Sequence, residues 1–322
     1  MNTQINKASE NDYDKLLIIW ESSVRSSHHF LKEEDIAFYK TMIKTHYFSA
    51  VDLYLIRNEK GEIAGFTGLS ADLIEMLFIA PEEQGKGYGK KLIEFAIKEK
   101  QIKKVDVNEQ NTAALFFYTR IGFEIIGRND TDASGKPYPI LHMQIIDTPI
   151  LETKRLLLRP FMENDAEDVF SYCQNPNLGN NAGWQPHTTI KESLTITRNI
   201  FMSQSNIWAI VLKSSGKLIG CAGIITDPKR QNVRTRMIGY WLGEEHWGKG
   251  YISEAVQELL RYGFNTLHLH LISAYCYPHN LRSRHVLERN GFTYEGTLRQ
   301  SEQTYDGHIY DELCYYIENN RT

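Results

Sequence analysis

The stretch Ile79-Ala80-Pro81-Glu82-Glu83-Gln84-Gly85-Lys86-Gly87-Tyr88-Gly89-Lys90 joins an apolar strand to the first turn of a helix. Its three glycines have no Cβ, so the backbone can turn tightly and direct successive N–H groups toward one point. The positive end of the helix dipole lies at the same point. The segment therefore predicts a binding site for a phosphate group, and we call it the first cradle.

The same pattern returns 163 positions later (248 − 85) as Trp247-Gly248-Lys249-Gly250-Tyr251, again between an apolar strand and an amphipathic helix. We call this segment the second cradle. A second landmark also repeats, since Asn111 precedes Gly122 by 11 residues (122 − 111) and Asn280 precedes Gly291 by 11 (291 − 280). Two landmarks in matching order indicate a diverged internal duplication.

The region from Asp147 to Glu152, which contains Pro149, is where the first pattern ends and the second begins. A proline between two periodic segments is typical of a connection. A chain of 322 residues is long enough for two domains of ordinary size. We therefore expect one domain over residues 1–147 and another over residues 150–322.

Charge and apolar content narrow the function classes. Lys and Arg total 36 and Asp and Glu total 40; up to residue 148 they number 18 and 22, which leaves 18 and 18. Neither half has the basic excess of a nucleic-acid surface. The amino terminus is polar and no apolar run approaches about 18 residues. We expect a cytoplasmic protein that binds neither nucleic acid nor membrane.

The four cysteines all fall in the second half, among apolar neighbours and without the spacing of metal ligands or redox pairs. We expect reduced core residues and no metal site. They are Cys173, Cys221, Cys276 and Cys314.

Apolar periodicity predicts the elements that surround each cradle. In the first half we expect helices from Ser9, with a capping box to Asp12, and over Glu33–Tyr47, Leu92–Lys100 and Asn111–Arg120, with a loop over Arg25–Leu31 and strands over Asp52–Arg57, Glu62–Leu69, Leu73–Ile79, Lys103–Val107, Phe123–Arg128 and Tyr138–Ile146. In the second we expect helices over Asp165–Cys173, Lys191–Gln204, Ser253–Phe264 and Asn280–Glu288, and strands over Leu156–Arg159, Ile207–Leu212, Leu218–Thr226, Met237–Leu242, Leu269–Ala274, Phe292–Leu298 and Ile309–Ile317.

Two common nucleotide-binding motifs do not fit the cradles. A Walker loop needs a Ser or Thr after its Gly-Lys to hold Mg²⁺, and Gly243 to Lys249 is followed by Gly250. The dinucleotide fingerprint needs a third glycine three residues after Gly-x-Gly, where this chain has Lys90 or Leu92. Both readings are disfavoured.

The pattern Gln84-x-x-Gly87-x-Gly89, followed by a helix that begins at Asn111 and ends at Gly122-Phe123, resembles the GNAT superfamily of acyl-CoA-dependent N-acyltransferases. The resemblance covers nearly the whole chain, twice. It implies an α/β fold of the α+β type: two tandem domains, each a mixed, mostly antiparallel sheet flanked by helices, with one splayed pair of parallel strands. Leu73–Ile79 and Lys103–Val107 would splay in the first half, and Met237–Leu242 and Leu269–Ala274 in the second.

The same resemblance implies acetyl-CoA as cosubstrate. The residues expected to bind it are Phe78, Ile79, Gln84, Gly85, Lys86, Gly87, Tyr88, Gly89, Lys90, Asn111, Trp247, Gly248, Lys249, Gly250, Tyr251 and Asn280. The segments Ser23–Leu31, Val107–Asn111 and Gly135–Pro139 look like small bacterial peptidyl-lysine acetyltransferases. The segments Thr153–Pro160, Ile238–Trp241, Trp247–Tyr251 and Asn280–Ser283 look like ribosomal-protein-alanine N-acetyltransferases.

Acyl transfer to an amine needs a neutral amine, a donor for the oxyanion and, optionally, an acid for the departing thiolate. At about pH 7, deprotonating a lysine amine of pKa about 10.4 costs about 4.6 kcal/mol, whereas an α-amine of pKa about 7.8 costs about 1.1 kcal/mol. A base therefore matters most for lysine acceptors.

In the first half, Tyr118 stands seven residues after Asn111, where the resemblance places the acid for the CoA sulfur; packing beside Phe116 and Phe117 is the alternative. Glu75 is the candidate base, because a charged residue within an apolar strand faces a cleft or finds a partner. His28, in the loop expected after the first helix, is the competing base, or an exposed loop residue together with His29.

The second half departs from this pattern, because Leu287 stands seven residues after Asn280. Ser283 is the nearest hydroxyl and would assist the thiolate or only cap the helix. Ile252 replaces a small residue and is expected to crowd the phosphate site. Weak candidates for the base are Glu244, Glu245, His246, Asp311 and Glu312.

We therefore expect a tandem N-acetyltransferase that transfers acetyl to a small-molecule, peptide or protein amine. An active second domain would acetylate α-amines in preference to lysine side chains. The alternative is one catalytic domain with a second domain that binds acyl-CoA or a partner without turnover. The acceptor and the oligomeric state stay open.

Overall fold

The computed structural model describes residues 4–319, which form two compact units that divide between Ile145 and Ile146. The elements of the first unit are β1 (Ile5–Lys7), α1 (Tyr13–Ser27), α2 (Glu33–Met42), α3 (Phe48–Ala50), β2 (Asp52–Arg57), β3 (Ile63–Leu69), β4 (Leu73–Ile79), α4 (Tyr88–Lys98), β5 (Lys104–Asn108), α5 (Thr112–Ile121), β6 (Phe123–Asn129) and β7 (Ile140–Ile145).

The elements of the second unit follow in a closely similar order. They are β8 (Leu151–Glu152), β9 (Leu156–Arg159), α6 (Ala166–Cys173), α7 (Pro176–Ala182), α8 (Ile190–Ile196), β10 (Ile207–Leu212), β11 (Leu218–Thr226), β12 (Thr235–Leu242), α9 (Tyr251–Asn265), β13 (Leu271–Cys276), α10 (Leu281–Arg289), β14 (Thr293–Gln303) and β15 (Ile309–Glu318).

Each unit is built on one mixed sheet with helices on both faces. The first sheet has the order β1-β2-β3-β4-β5-β7-β6 and the second the order β14-β15-β13-β12-β11-β10-β9-β8. In the second unit, α9 and α10 pack on one face through residues such as Leu259 and Leu287, while Val169 of α6 packs on the other face against Trp241. Burial on both faces explains why the central strands are almost continuously apolar.

One parallel pair interrupts each otherwise antiparallel sheet, and in both units the pair separates. Strands β4 and β5 pair only at Leu73↔Lys104 and Ile74↔Val105, although β4 continues to Ile79. Strands β12 and β13 pair from Thr235↔Leu271 to Met237↔Ser273, although β12 continues to Leu242. The expected fold class, including the splayed pair, is confirmed.

The capping box of Ser9 with Asp12 is confirmed, but the loop expected from Arg25 begins later. Helix α1 continues through Ser27, and the hydroxyls of Ser26 and Ser27 donate to the carbonyl oxygen of Ser23 at 2.8 and 2.7 Å. The serines therefore do not end the helix, because their hydroxyls bond to a carbonyl oxygen within it.

Periodicity missed β1 and α7. Strand β1 has three residues and exists through its pairing with β2. Helix α7 has seven residues, between the Asn175 cap and Gly183 at φ 83°, with Leu178 as its one large apolar residue. Neither segment is long enough to carry a periodic signal.

The four cysteines are buried and free, as expected. Within residues 4–319, no helix is long and apolar enough to span a membrane. The same residues contain no cluster of three or more His, Cys, Asp or Glu side chains that could hold a metal ion.

Candidate active sites

The first cradle is a glycine turn between β4 and α4. Gly85 and Gly87 have φ of 77° and 86°, in the left-handed region that glycine enters at little cost, and Gly87 caps α4. Within residues 4–319, the N–H groups of Gly85, Lys86 and Gly87 donate no hydrogen bond. Those of the first turn of α4 precede any intrahelical acceptor. The turn thus presents a row of free donors.

The second cradle has the same backbone, with Gly248 and Gly250 at φ of 74° and 75° before α9. Arg155 contacts the carbonyl side of this turn. Its guanidinium donates to the carbonyl oxygen of Lys249 at 2.9 Å and pairs with Glu254 at 2.6 Å. The carbonyl side of the turn is therefore occupied, which leaves the N–H side for a ligand.

The charged side chains beside the two cradles differ. In the first, Lys86 pairs with Glu83 at 3.1 Å and Lys90 with Glu94 at 3.9 Å. In the second, the Arg282 guanidinium lies 4.2 Å from the centre of the Trp247 ring. Within the described chain, that guanidinium makes no hydrogen bond or ion pair, so its charge is available to a ligand.

A cavity of about 970 Å³ runs through the second unit. It extends from the second cradle along the gap between β12 and β13, past Trp184 and Asn181, to Glu302 and Glu312. Its volume lies at the upper end of the range for small-molecule sites, about 300–1,000 Å³. The splay therefore opens into a ligand-sized channel.

In the first unit, Phe78 and Ile79 lie on the part of β4 beyond its last pairing with β5. Beyond that pairing, β4 has no partner strand on the β5 side, which leaves strand backbone there for a ligand. The Tyr88 side chain is buried in the core, so this residue can offer only its N–H group.

Tyr118 lies on α5 and is 6% exposed, with its ring against Phe117 and Phe123 at centroid distances of 5.2 and 5.4 Å. Burial raises the pKa of its phenol. Its hydroxyl makes no hydrogen bond with residues 4–319. Tyr118 therefore packs against its aromatic neighbours, and its protonated hydroxyl is also available to donate a hydrogen bond to a ligand.

Asn111 caps α5 by accepting the N–H of Ala114 at 3.1 Å, and its Nδ2 lies 3.3 Å from Nε2 of His28. Nδ1 of His28 lies 2.8 Å from Oγ of Ser27, which already donates its proton to Ser23. The ring therefore donates from Nδ1 and accepts at Nε2, the neutral form. Burial, with a smaller effect of His29, lowers the pKa of His28 to about 4. His28 is half-buried, not an exposed loop residue, whereas His29 is exposed.

Glu75 is exposed and is the extra residue of a β-bulge, since Gly68 pairs with Met76 and Leu69 with Ile74. Its carboxylate has no hydrogen bond or ion pair in the described part of the chain. A bulge redirects a side chain beside the splay. The side chain is therefore exposed without the surface ion pair that was the alternative, and its role as the base stays a prediction.

In the second unit, Asn280 caps α10 through the N–H of Ser283 at 3.1 Å, and its Nδ2 donates to the carbonyl oxygen of Asn181 at 2.9 Å. Oγ of Ser283 lies 3.0 Å from the hydroxyl of Tyr240 on β12. Burial raises the pKa of Tyr240. Sequence reasoning missed Tyr240, because the tyrosine is 43 residues from its serine partner.

Ile252 lies in the core and also lines the cavity beside the second cradle. Its side chain is 8% exposed and packs into the core formed by α9 and the sheet. Leu287 is fully buried in the same core. Both side chains pack in the interior, and crowding of the phosphate site by Ile252 stays a prediction.

The candidate bases of the second unit divide into those that line the cavity and those that do not. Glu244 bonds to Asn175 and Asn177, and Asp311 pairs with Arg299 at 2.6 Å, away from the cavity. Neither Asp311 nor Glu245 lines the cavity, whereas His246 and Glu312 do. Burial lowers the pKa of His246.

Glu302 is a cavity residue that the sequence did not indicate. Its carboxylate makes no hydrogen bond or ion pair with residues 4–319. It lies in the polar end of β14, beyond the strand expected to stop at Leu298, so no apolar alternation pointed to it.

Comparisons with known proteins agree with this geometry. Residues 49–125 and residues 155–293 each match a family described as acetyltransferase (GNAT) domain. The chain is 34% identical over 143 residues to peptidyl-lysine N-acetyltransferase YjaB of Salmonella typhimurium, covering 44% of this chain and 98% of the relative. It is 35% identical over 172 residues to the uncharacterized N-acetyltransferase p20 of Bacillus licheniformis, covering 52% and 94%.

A third relative is the ribosomal-protein-serine acetyltransferase of Escherichia coli, 40% identical over 170 residues, or 51% of this chain and 92% of the relative. The chain belongs to the GNAT family of N-acetyltransferases, with one such domain in each unit.

Proposed function

We propose that this protein is an acetyl-CoA-dependent N-acetyltransferase in which both domains transfer acetyl to primary amines. One observation carries the proposal. In each unit, a parallel strand pair separates beside a glycine turn whose N–H groups have no acceptor within the described chain. Free donors beside free strand backbone suit a ligand with a phosphate at one end and amide groups along its length.

The residues present fit acetyl-CoA. No atom lies within 4 Å of the position that a Cβ would take at Gly85, Gly87 or Gly248, so both turns are open to a ligand. The cradle N–H groups would hold the pyrophosphate, with Arg282 as an added cation in the second unit. When bound, acetyl-CoA supplies an acetyl thioester for attack by the amine.

In the first domain, we assign Tyr118 to the departing sulfur. A CoA thiol has a pKa of about 8.5, below that of any tyrosine whose pKa burial raises above about 10. Complete proton transfer from the phenol to the thiolate is therefore uphill. Tyr118 stabilises the thiolate by donating a hydrogen bond, which the raised pKa keeps available at neutral pH.

Glu75 is the candidate base of the first domain. His28 suits this role less, because its Nε2 already accepts from Asn111 and its pKa of about 4 makes it a weak base. A carboxylate at the splay would offset part of the deprotonation cost of a lysine amine. A lysine acceptor is also suggested by the named activity of YjaB.

In the second domain, the Ser283 and Tyr240 hydroxyl pair replaces Tyr118, and Glu302 is the candidate base. This carboxylate is exposed to solvent, so it offers modest help in deprotonation. Modest help suits an α-amine, which costs about 3.5 kcal/mol less to deprotonate at about pH 7 than a lysine. We therefore assign protein or peptide α-amines to this domain.

The test uses the full-length protein and peptides that carry both a free α-amine and a lysine. Gly87→Asp and Gly250→Asp each bring a carboxylate into one cradle and should weaken acetyl-CoA binding there about tenfold or more, measured by calorimetry. Gly61→Asp and Gly216→Asp are controls, since these glycines also have positive φ and lie in hairpin turns with no atom within 4 Å of their Cβ position. At Gly250 the nearest atom to that position is a guanidinium nitrogen of Arg155, 3.6 Å away.

Mass spectrometry then assigns the transfer. Gly87→Asp should remove mainly lysine acetylation and Gly250→Asp mainly α-amine acetylation. If Gly250→Asp abolishes one binding site but changes no product, the second domain binds acetyl-CoA without turnover. If neither variant changes binding relative to its control, the cradles are not the acetyl-CoA sites.

A further inference from the structure

The far end of the second-domain cavity contains a positive charge supplied by the chain itself. Lys229, between β11 and β12, pairs through its ammonium group with the Glu312 carboxylate on β15. The same ammonium lies 4.3 Å from the centre of the Tyr275 ring on β13. All three residues line the cavity, together with Glu302.

Glu312 and Tyr275 would form a cation site even without Lys229. The Glu312 residue is 9% exposed and also accepts a hydrogen bond from Oγ of Ser301 at 2.8 Å. The Tyr275 hydroxyl donates to the fully buried Asp227 at 2.9 Å. A carboxylate beside a fixed aromatic face is the combination that binds an ammonium group.

Lys229 is held in this position by its backbone as well. Its N–H donates to Oδ1 of Asp227 at 2.8 Å, so the same buried carboxylate fixes both the lysine and the ring beneath its ammonium. The ammonium has a high local concentration at the site, and a free ligand cation must displace it. The Glu302 carboxylate, by contrast, makes no hydrogen bond or ion pair with residues 4–319.

We propose that Lys229 is a specificity-determining residue that fills an ammonium subsite at Glu312 and Tyr275 and so excludes diamine and polyamine acceptors from the second domain. The assignment rests on the proposed function of this domain. An acceptor with one amine meets the unpaired Glu302 carboxylate. An acceptor with a second ammonium group also meets Lys229, whose like charge opposes it, and finds Glu312 already neutralised.

The test compares Lys229→Met with the unchanged full-length protein, using butane-1,4-diamine, with two positive charges, and butylamine, with one, as matched probes. Calorimetry should show diamine affinity raised about tenfold or more in Lys229→Met, with butylamine changed about twofold or less. Lys229→Arg keeps the charge and should behave as the parent. The double variant Lys229→Met/Glu312→Gln removes the subsite carboxylate and should lose the gain.

Equal diamine affinity in Lys229→Met and the parent, with an unchanged melting temperature, would overturn the proposal. Lys229→Gln, whose amide can still donate to Glu312, repeats the comparison if the methionine variant does not fold. Binding decides this question even if the parent acetylates nothing. Absence of acetyl transfer by the unchanged protein would contradict the proposed function. A diamine affinity that Lys229→Met leaves unchanged would contradict only the role of Lys229.

Discussion

The two domains have the same cradle but supply their hydroxyl groups from different places. In the first, Tyr118 comes from the middle of α5; in the second, that spacing gives the buried Leu287, and Ser283 contacts Tyr240 across the gap. The capping asparagines are 169 residues apart (280 − 111) and the cradles 163. With these offsets, Ser283 corresponds to Ala114 and Tyr240 to Leu77 in the first domain. The cradle depends on backbone N–H groups, so it requires only that the glycines are kept. A hydroxyl group, by contrast, can be supplied by a side chain on another element.

The capping asparagines show the same contrast. The amide of Asn111 is held by a histidine ring, and the amide of Asn280 by a backbone carbonyl oxygen. A ring can gain a proton, whereas a carbonyl at ordinary pH does not. The two sites should therefore differ in acid sensitivity as well as in chemistry.

The largest expected difference concerns the hydroxyl groups. In a Gly250→Asp background, Tyr118→Phe should lower kcat for lysine acetylation about hundredfold with little change in KM, since the hydroxyl acts as sulfur departs. Ser283→Ala in the same background should change nothing, and in a Gly87→Asp background it should lower kcat for α-amine acetylation. Steady-state kinetics with a thiol-release assay measures both. Equal turnover of Tyr118→Phe and its parent would reduce this tyrosine to packing.

A smaller effect is expected at the second cradle. Arg282→Met should weaken acetyl-CoA binding about fivefold in a Gly87→Asp background, because a guanidinium held on Trp247 loses its phosphate contact. Arg284→Met is the matched control, since Arg284 pairs with Glu288 at 2.8 Å and does not line the cavity. Equal affinities for the two variants would leave the cradle N–H groups as the sole phosphate contacts.

The smallest effect is a pH dependence confined to the first domain. The pKa of His28 is about 4 in the folded state and about 6.5 when unfolded, so its stabilising contribution is present above pH 6.5 and is lost as pH falls toward 4. Protonation at Nε2 would also remove the acceptor for Asn111.

Hydrogen exchange, corrected for its intrinsic pH dependence, should show residues 111–121 losing protection between pH 6.5 and 4.5, and residues 280–289 losing less. His28→Gln, whose amide oxygen can accept from Asn111 without titrating, should remove this dependence. A loss of protection that is equal in both segments would assign it to general acid destabilisation.

Much of the fold follows from local sequence. Positive φ at Gly87 and Gly250 leaves a residue-type signature, and apolar periodicity marks the strands around each cradle, so the duplication could be predicted from the residues. The splayed pairs were implied by the family resemblance. Short elements such as β1 and α7 could not be predicted, because they have too few residues for a period and depend on pairing or caps.

What the sequence alone determined is therefore the backbone of the two cradles and the family to which the chain belongs. The tertiary structure decided which side chains meet. Ser283 and Tyr240 are 43 residues apart, and Lys229 and Glu312 are 83 apart. Whether Ile252 points into the core, and whether Glu302 reaches the cavity, depends on packing and on the register shifts of β14. Local patterns record which backbone shapes a residue tolerates, but contacts across a sheet are set only when distant strands pair.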